Sequence, residues 1–270
     1  MSHFENLQLQ DLRVGREEAW LEIAINRPAK RNALREQTAS ELLAVLERAE
    51  SDPGVRAVLL HGAQGVFCAG VDTEAFRVDE NGPFEQWRAR LTSRRISRLY
   101  ASLPNFTKPL IAAVDGYALG GGFELALMCD LIVASKDAIF GLTEVKLGML
   151  PGGGGTATLA RVVGRAQAKR LIWTGARFDG TKAFEMGIAA ELADAGASLE
   201  AARRLAAEIV RNAPLPVMFS KALIDRSADL SARNAWLQEG DLSFALSFSQ
   251  DRQEGLAAFK EKRSPSFKGR

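Results

Sequence analysis

A glycine-rich stretch that leads into an apolar helix is the feature that most constrains this chain. Gly120-Gly121-Gly122 is followed by Phe123-Glu124 and then by five uncharged residues that end at Cys129. A helix that is apolar all round is normally buried. Glu124 is therefore predicted to be a buried carboxylate, and burial of an unpaired carboxylate is costly or changes its pKa. The pattern predicts a core helix whose single charged group has a chemical task.

The start of this helix is predicted to bind an oxygen atom on which negative charge develops. Three glycines let a ligand or another backbone segment approach closely. The first-turn N–H groups have no partner inside the helix and carry the positive end of its dipole. With Glu124 one turn away as a proton-transfer group, the stretch predicts a catalytic site. The alternative is a glycine-rich turn into a core helix, with Glu124 neutralised by an arginine.

Composition restricts the classes of partner. The 270 residues include 35 basic and 33 acidic ones, for a net charge of +2, which argues against a nucleic-acid-binding surface. Cys68 and Cys129 show neither metal-ligand spacing nor a disulfide framework, as is typical of a reducing compartment. The sequence shows no signal-peptide layout and no apolar run long enough to span a membrane. We therefore expect a cytoplasmic protein with no membrane or nucleic-acid partner.

Strand and helix patterns alternate through the first two thirds of the chain and predict an α/β fold. Residues 7–13 and 19–26 have the alternation of a β-hairpin, with Gly15-Arg16-Glu17 as its turn. A helix is predicted over 36–49, and buried strands over 55–60 and 110–114.

The remaining segments are predicted to be helical. Residues 77–107 favour an amphipathic helix flanked by loops, whose basic side is solvated or forms one wall of a substrate pocket. A domain boundary is predicted near residue 196, which separates a core over 1–196 from a helical oligomerisation region over 197–270. The helices expected in that region cover 199–210, 214–224, 232–248 and 252–262.

Four ordered fragments resemble the enoyl-CoA hydratase (crotonase) family. The resemblance covers nearly the full chain, and it implies a spiral of repeated β-β-α units with a C-terminal helical region, assembled as homotrimers or hexamers. Members share a site for CoA thioesters but run different chemistries. The fragments are NRP at 26–28 with NAL at 32–34, FCAGVD at 67–72, DGYALGGGFELA at 115–126 and FGLTEVKLG at 140–148, and they extend to EGLAAF at 254–259 and EKR at 261–263.

The resemblance implies catalytic roles for four residues. The backbone N–H groups of Val71 and Gly121 would form an oxyanion hole, which suits the enolate or tetrahedral thioester oxyanion of the family's reactions. Glu124 would mainly hold the attacking water, and Glu144 would mainly handle the proton at C2. The family often has proline before the second glutamate, where this chain has Thr143. Many hydratases have alanine where this chain has Val71.

The remaining expected contacts are with the CoA part of the substrate. Arg27, Lys30 and Arg31 are candidate cations for its phosphates. Ala69 and Asp72, next to the Val71 donor, are assigned to the substrate site. The sequence PGGGGT at 151–156 lacks the ending of a phosphate-binding P-loop and is interpreted as a turn. The resemblance also brings Phe259 and Lys262 from the C-terminal helix of an adjacent subunit.

The function expected from these residues is reversible hydration of a trans-2-enoyl-CoA to 3-hydroxyacyl-CoA. An acyl-CoA thioester is the expected partner, and no metal or other cofactor is expected, because CoA is part of the substrate. One alternative is a double-bond isomerase, for which Glu144 alone would suffice. Another is a CoA-thioester-binding or RNA-binding homologue with vestigial catalysis. The low net charge argues against RNA, and the pair of glutamates argues against vestigial catalysis.

Overall fold

The computed structural model describes Phe4 and residues 6–72 and 95–270. Its strands form a six-stranded sheet in the order β1-β2-β3-β4-β6-β9 and a three-stranded sheet in the order β5-β7-β8. Within the larger sheet, β1 and β2 pair antiparallel and the other neighbours pair parallel. The strands are β1 (Leu12–Glu17), β2 (Trp20–Ile25), β3 (Ala57–Gly62), β4 (Leu110–Val114), β5 (Tyr117–Leu119), β6 (Leu131–Ser135), β7 (Ile139–Gly141), β8 (Phe178–Asp179) and β9 (Glu191–Ala193).

Helices cover both faces of the larger sheet. The described helices are α1 (Glu36–Ser51), α2 (Arg95–Ser102), α3 (Gly121–Leu127), α4 (Gly155–Val163), α5 (Arg165–Thr174), α6 (Gly180–Glu185), α7 (Ser198–Val210), α8 (Pro214–Ser227), α9 (Ala232–Leu246) and α10 (Gln250–Glu261). The α/β fold expected from the alternating patterns is confirmed.

Alternation along β4 shows how the sheet separates two apolar layers. Ile111 and Ala113 pack into the layer that contains α7. Leu110, Ala112 and Val114 point the other way, into the larger core that contains α1 and α3. Side chains of a strand alternate between faces, so a strand covered on both sides is apolar throughout. All five residues of β4 are apolar and buried for this reason, and the strand predicted over 110–114 is confirmed with the same bounds.

The N-terminal hairpin is confirmed, but its predicted turn is wrong. Gly15 stays extended and pairs with Glu22, and the chain reverses at Glu18, whose φ is +46°. Pairing with the buried strand β2 outweighs the turn preference of Gly15. The first strand also starts later than predicted, at Leu12, because the preceding backbone N–H groups donate to the Glu41 carboxylate of α1.

The C-terminal helices differ in how they pack. Helix α7 belongs to the sheet's own core, through Ala201, Ala202 and Ala206. Helices α8 and α9 bury no residue within the chain, although each is long and well formed. The predicted boundary near residue 196 stays a prediction, and part of the helix predicted over 77–107 lies outside the described residues. No described helix is both long enough and apolar enough to cross a membrane.

Candidate active site

The start of α3 lies beside the segment 67–72. The N–H of Cys68 donates to the Tyr117 carbonyl over 2.8 Å, and the N–H of Leu119 donates to the Cys68 carbonyl over 3.1 Å. A methyl group built on Gly121 would lie 3.5 Å from the Val71 nitrogen. Strand-like pairing of the two segments therefore brings the two predicted oxyanion donors to one place.

The N–H groups of Val71 and Gly121 are not used in the pairing around them. On either side of Val71, the Leu34 N–H donates to Gly70 and the Asp72 N–H donates to Leu34. Gly121 is the first residue of α3, so its N–H precedes the helix's own hydrogen bonds. Within the described part of the chain, neither N–H has a recorded acceptor. Two neighbouring N–H groups of this kind can bind one oxyanion.

Glu124 is held by a glycine-rich turn that follows it by about 30 residues along the chain. Its Oε1 atom accepts hydrogen bonds from the N–H groups of Gly153 (2.7 Å) and Gly155 (2.9 Å). Its side chain is buried, and burial raises the pKa of the carboxyl although these two hydrogen bonds act in the opposite direction. Among the described residues, backbone N–H groups and not an arginine hold Glu124. The expectation of a turn at 151–156 is confirmed, but that turn also has a role in the site.

Glu144 lies in a different environment. It begins a turn of 3-10 helix, Glu144–Leu147, after β7. Both of its carboxylate oxygens are buried and have no hydrogen-bond partner among the described residues. A methyl group built on Gly120 would lie 3.2 Å from Oε1, so the carboxyl rests against the start of α3. Burial raises the pKa of Glu144 to about 7, and the nearby charge of Glu124 adds to this effect.

The two carboxyl groups therefore differ in what they can do. Glu124 has a fixed orientation and hydrogen bonds that favour its charged form. Glu144 has free oxygens and a pKa of about 7, so it can give or accept a proton near neutral pH. Together with the N–H groups of Val71 and Gly121, they form a site for proton transfers next to a stabilised oxyanion.

The residues predicted to contact CoA are partly engaged with one another. The Arg27 guanidinium lies 3.1 Å from Asp72 and also donates to the Ala33 carbonyl. The Ala69 N–H donates to the Arg31 carbonyl over 3.0 Å, so the 67–72 segment is fastened to the loop after β2.

Two of the three candidate cations have side chains that are exposed to solvent in that loop. Lys30 and Arg31 are exposed, whereas Arg27 is only partly exposed. Arg27 thus combines an ion pair with Asp72 and a place beside Val71, while Lys30 and Arg31 present their charges outward. The contacts of all three with CoA stay predictions.

Phe259 and Lys262 lie at the end of α10, away from these groups. Phe259 is 84% exposed, and Lys262 ends the helix in the left-handed region with φ of +55°. Among the described helices and strands, α10 makes no extensive packing contact with α3. The role predicted for Phe259 and Lys262, as residues of an adjacent subunit, stays a prediction.

Sequence reasoning missed the site roles of Tyr100 and of the glycine turn. Tyr100 falls within the predicted amphipathic helix, where its spacing indicates only a packed or pocket-lining side chain. Its hydroxyl donates to the Gly121 carbonyl over 2.6 Å. The sequence predicts only a turn at Gly153 and Gly155, because nothing in the neighbouring sequence links them to Glu124. The contacts are non-local, so no short motif could have revealed them.

Comparison with known proteins identifies the family. A family model described as enoyl-CoA hydratase/isomerase matches residues 15–270. The chain is 41% identical to human enoyl-CoA hydratase domain-containing protein 2, mitochondrial, over 95% of this chain and 88% of that protein. It is 37% identical to the 2,3-dehydroadipyl-CoA hydratase of Escherichia coli, over 97% of this chain and all of that protein. The crystal structure of an enoyl-CoA hydratase from Bacillus anthracis superposes with a TM-score of 0.90 at 34% identity, covering 97% of this chain and all of that one.

Proposed function

The chain belongs to the enoyl-CoA hydratase/isomerase family, and from this premise we propose that it hydrates trans-2-enoyl-CoA thioesters reversibly to 3-hydroxyacyl-CoA. The observation that carries the proposal is the pair of carboxyls, Glu124 in the first turn of α3 and Glu144 against Gly120 just before it. One is held in place by Gly153 and Gly155, and the other is unpartnered with a pKa of about 7. Addition of water needs one group that orients and deprotonates water and one that supplies a proton.

The proposed reaction assigns one role to each group. The thioester oxygen accepts hydrogen bonds from the N–H groups of Val71 and Gly121, which stabilise the enolate. Glu124 orients a water molecule and takes one of its protons as the water oxygen bonds to C3. Electrons of the double bond move to the thioester, and Glu144 then delivers its proton to C2. The proton that Glu124 took then returns to Glu144, through water, which restores both groups. The sum is one water molecule added and no net proton consumed, so this scheme draws on no redox or metal cofactor.

We further propose that the active form is a homotrimer or a hexamer. Helices α8 and α9 bury nothing within the chain, and large apolar side chains of the C-terminal helices are exposed. Exposed apolar surface of this extent is typical of an interface. A second subunit would also supply Phe259 and Lys262 to the site. The most exposed of these apolar side chains are Ile224, Trp236, Phe244, Phe248 and Phe259.

The cytoplasmic location stays a proposal. Cys68 and Cys129 are both unpaired, which suits a reducing compartment. The human relative is named as mitochondrial, so location differs within the family. Fractionation of the native cells, with the protein followed by antibody, would decide between the two compartments.

The test of the function is an absorbance assay with crotonyl-CoA. Hydration removes the conjugated chromophore, and mass spectrometry should find a product heavier by one water. An isomerase would instead interconvert 3-butenoyl-CoA and crotonyl-CoA without adding water, and a binding protein would bind the thioester without changing it. Either of the last two results would reject the proposed hydratase. A panel of longer and branched enoyl-CoA thioesters would then define the acyl preference.

A further inference from the structure

Tyr100 contacts both the start of α3 and the glycine-rich turn that holds Glu124. Its hydroxyl donates to the carbonyl of Gly121 over 2.6 Å, at the first turn of α3. Its ring lies against Gly153, because a methyl group built there would come within 2.9 Å of three ring carbons. Gly121 is the proposed oxyanion donor, and Gly153 is one of the two residues whose N–H groups hold Glu124. A single buried side chain thus contacts the backbone that positions both.

The hydroxyl also meets Val71 across Gly121. A methyl group built on Gly121 would lie 2.9 Å from the Tyr100 hydroxyl and 2.7 Å from the Val71 side chain. The Tyr100 side chain is almost fully buried, so packing restricts the movement of its ring. Glu124 and Glu144 are both near enough for their charges to act on its hydroxyl. Tyr100 therefore lies at the centre of the site without being one of its proton-transfer groups.

We infer that Tyr100 is a positioning residue, which fixes the oxyanion donors relative to the Glu124 carboxylate. This inference rests on the proposed function. The hydrogen bond to the Gly121 carbonyl orients the Gly121–Gly122 peptide, which adjoins the peptide that carries the Gly121 N–H, and the ring packs against Gly153 in the 151–155 turn. Preorganised donors stabilise an oxyanion because they need no rearrangement when the charge develops. Loss of the hydroxyl would loosen that arrangement while leaving the shape of the site intact.

The test uses the only two tyrosines of the chain, Tyr100 and Tyr117. Tyr100→Phe removes the hydroxyl and keeps the ring, and Tyr117→Phe is the matched control because Tyr117 is partly exposed on β5. We expect Tyr100→Phe to lower kcat for crotonyl-CoA about tenfold with KM changed less than about twofold, since the buried Gly121 carbonyl loses the hydroxyl that orients it. The Tyr117→Phe variant should match the wild type.

A second readout does not depend on turnover. Acetoacetyl-CoA forms an enolate that absorbs in the near ultraviolet, so its binding reports stabilisation of an oxyanion. Tyr100→Phe should bind this enolate about tenfold more weakly than the wild type and should bind butyryl-CoA, whose acyl group does not form an enolate, equally well. A merely structural role would weaken both ligands together, or lower the melting temperature without separating them, and would overturn the inference. Wild-type kcat and wild-type enolate binding in Tyr100→Phe would overturn it as well.

A third measurement covers the case in which Tyr100→Phe does not fold. In the Tyr117→Phe background, biosynthetic 3-fluorotyrosine labels Tyr100 alone and keeps its hydroxyl. The fluorine resonance should shift on binding of acetoacetyl-CoA and much less on binding of butyryl-CoA. Equal shifts, or none, would overturn the inference. Failure of the hydratase proposal is seen separately, as a wild-type enzyme that leaves crotonyl-CoA unchanged while these ligand-binding comparisons stand on their own.

Discussion

At the scale of one residue, the burial of Glu144 suits it to proton transfer but lowers the stability of the fold. Both of its oxygens are buried without hydrogen-bond partners among the described residues. Burial raises its pKa from an ordinary 4.5 to about 7. The same side chain with full hydrogen bonding would be more stable in its charged form and less able to give up and regain a proton. Strain of this kind is commonly found where chemistry takes place.

Glu144→Gln is expected to stabilise the fold at pH values above about 7. Because the folded pKa lies above the unfolded one, the folded state holds more protons between pH 4.5 and 7, and wild-type stability falls as pH rises through that range. The amide carries no charge, so the variant should gain about 1–3 kcal/mol over the wild type above this range. Denaturant unfolding at a series of pH values measures the difference. A gain that is the same at every pH would assign it to something other than the carboxyl's ionisation.

The same pKa predicts the pH dependence of catalysis. The proposed scheme needs one proton on the pair Glu124 and Glu144, so kcat/KM should fall as pH rises through about 7 and the pair loses its last proton. The overall equilibrium consumes no proton, so kcat/KM must fall over the same pH range for hydration and for dehydration. Initial rates in both directions would measure it. A kcat/KM that stays flat through pH 7 in both directions would argue against Glu144 as the proton donor.

At the scale of elements, the site depends on the meeting of α3 with the 151–155 turn. The sequence predicts the burial of α3 and of Glu124, because an apolar helix with one carboxylate has few other solutions. It does not predict what holds that carboxylate. Gly153 and Gly155 are distant in sequence, and their N–H groups reach Glu124 only through the packing of α4 against α3. The motifs thus predicted the residues that the structure brings together at the start of α3, and they did not predict the groups that support Glu124.

Gly155→Ala tests this support directly. A methyl group there would lie 2.8 Å from Cγ and 3.0 Å from Oε1 of Glu124, so the carboxylate must move. We expect kcat to fall about tenfold to a hundredfold, as is typical when a reacting group is misplaced. Gly152→Ala is the control, because a methyl group at Gly152 meets nothing within 4 Å. Equal activity of the two variants in the crotonyl-CoA assay would show that the turn does not position Glu124.

At the scale of the whole molecule, the C-terminal helices form much surface and little core. The sequence predicts a helix at each of these places, and the side chains of Ser231 and Ser249 cap α9 and α10. Phe244 and Phe248 contact each other edge to face, yet both stay largely exposed, as do Trp236 and Phe259. In the proposed oligomer, the surface that covers them belongs to another subunit, so one sequence does not show it.

Lys262→Ala tests the proposed contribution of a second subunit to the site. A cation that binds CoA phosphates equally in ground and transition states should raise KM several-fold and leave kcat nearly unchanged. The effect should disappear with a pantetheine thioester, which lacks those phosphates. Lys260→Ala is the control, because Lys260 is an exposed cation near the same end of α10. Equal losses for both thioesters would remove Lys262 from the site.

Mixed oligomers would show whether Lys262 acts between subunits. Heteromers of Lys262→Ala and Glu144→Gln chains contain some sites with both residues intact if Lys262 comes from a neighbour. The mixture should then contain a fraction of sites that combine the wild-type kcat with the wild-type KM, which neither parent variant has. Kinetics in which each site depends only on its own chain's Lys262 would place the contact within the subunit instead.

The central claim is that Glu124 and Glu144 act as one unit that adds water, and a double-variant cycle tests it most directly. Glu124→Gln and Glu144→Gln should each lower kcat for crotonyl-CoA by about 10²- to 10⁴-fold, the range of general acid–base catalysis. If the two groups share one reaction step, the double variant should fall within about tenfold of the worse single variant. Binding of butyryl-CoA should be nearly unchanged in all three. Losses that multiply in the double variant, or a single variant that turns over at the wild-type rate, would contradict the claim.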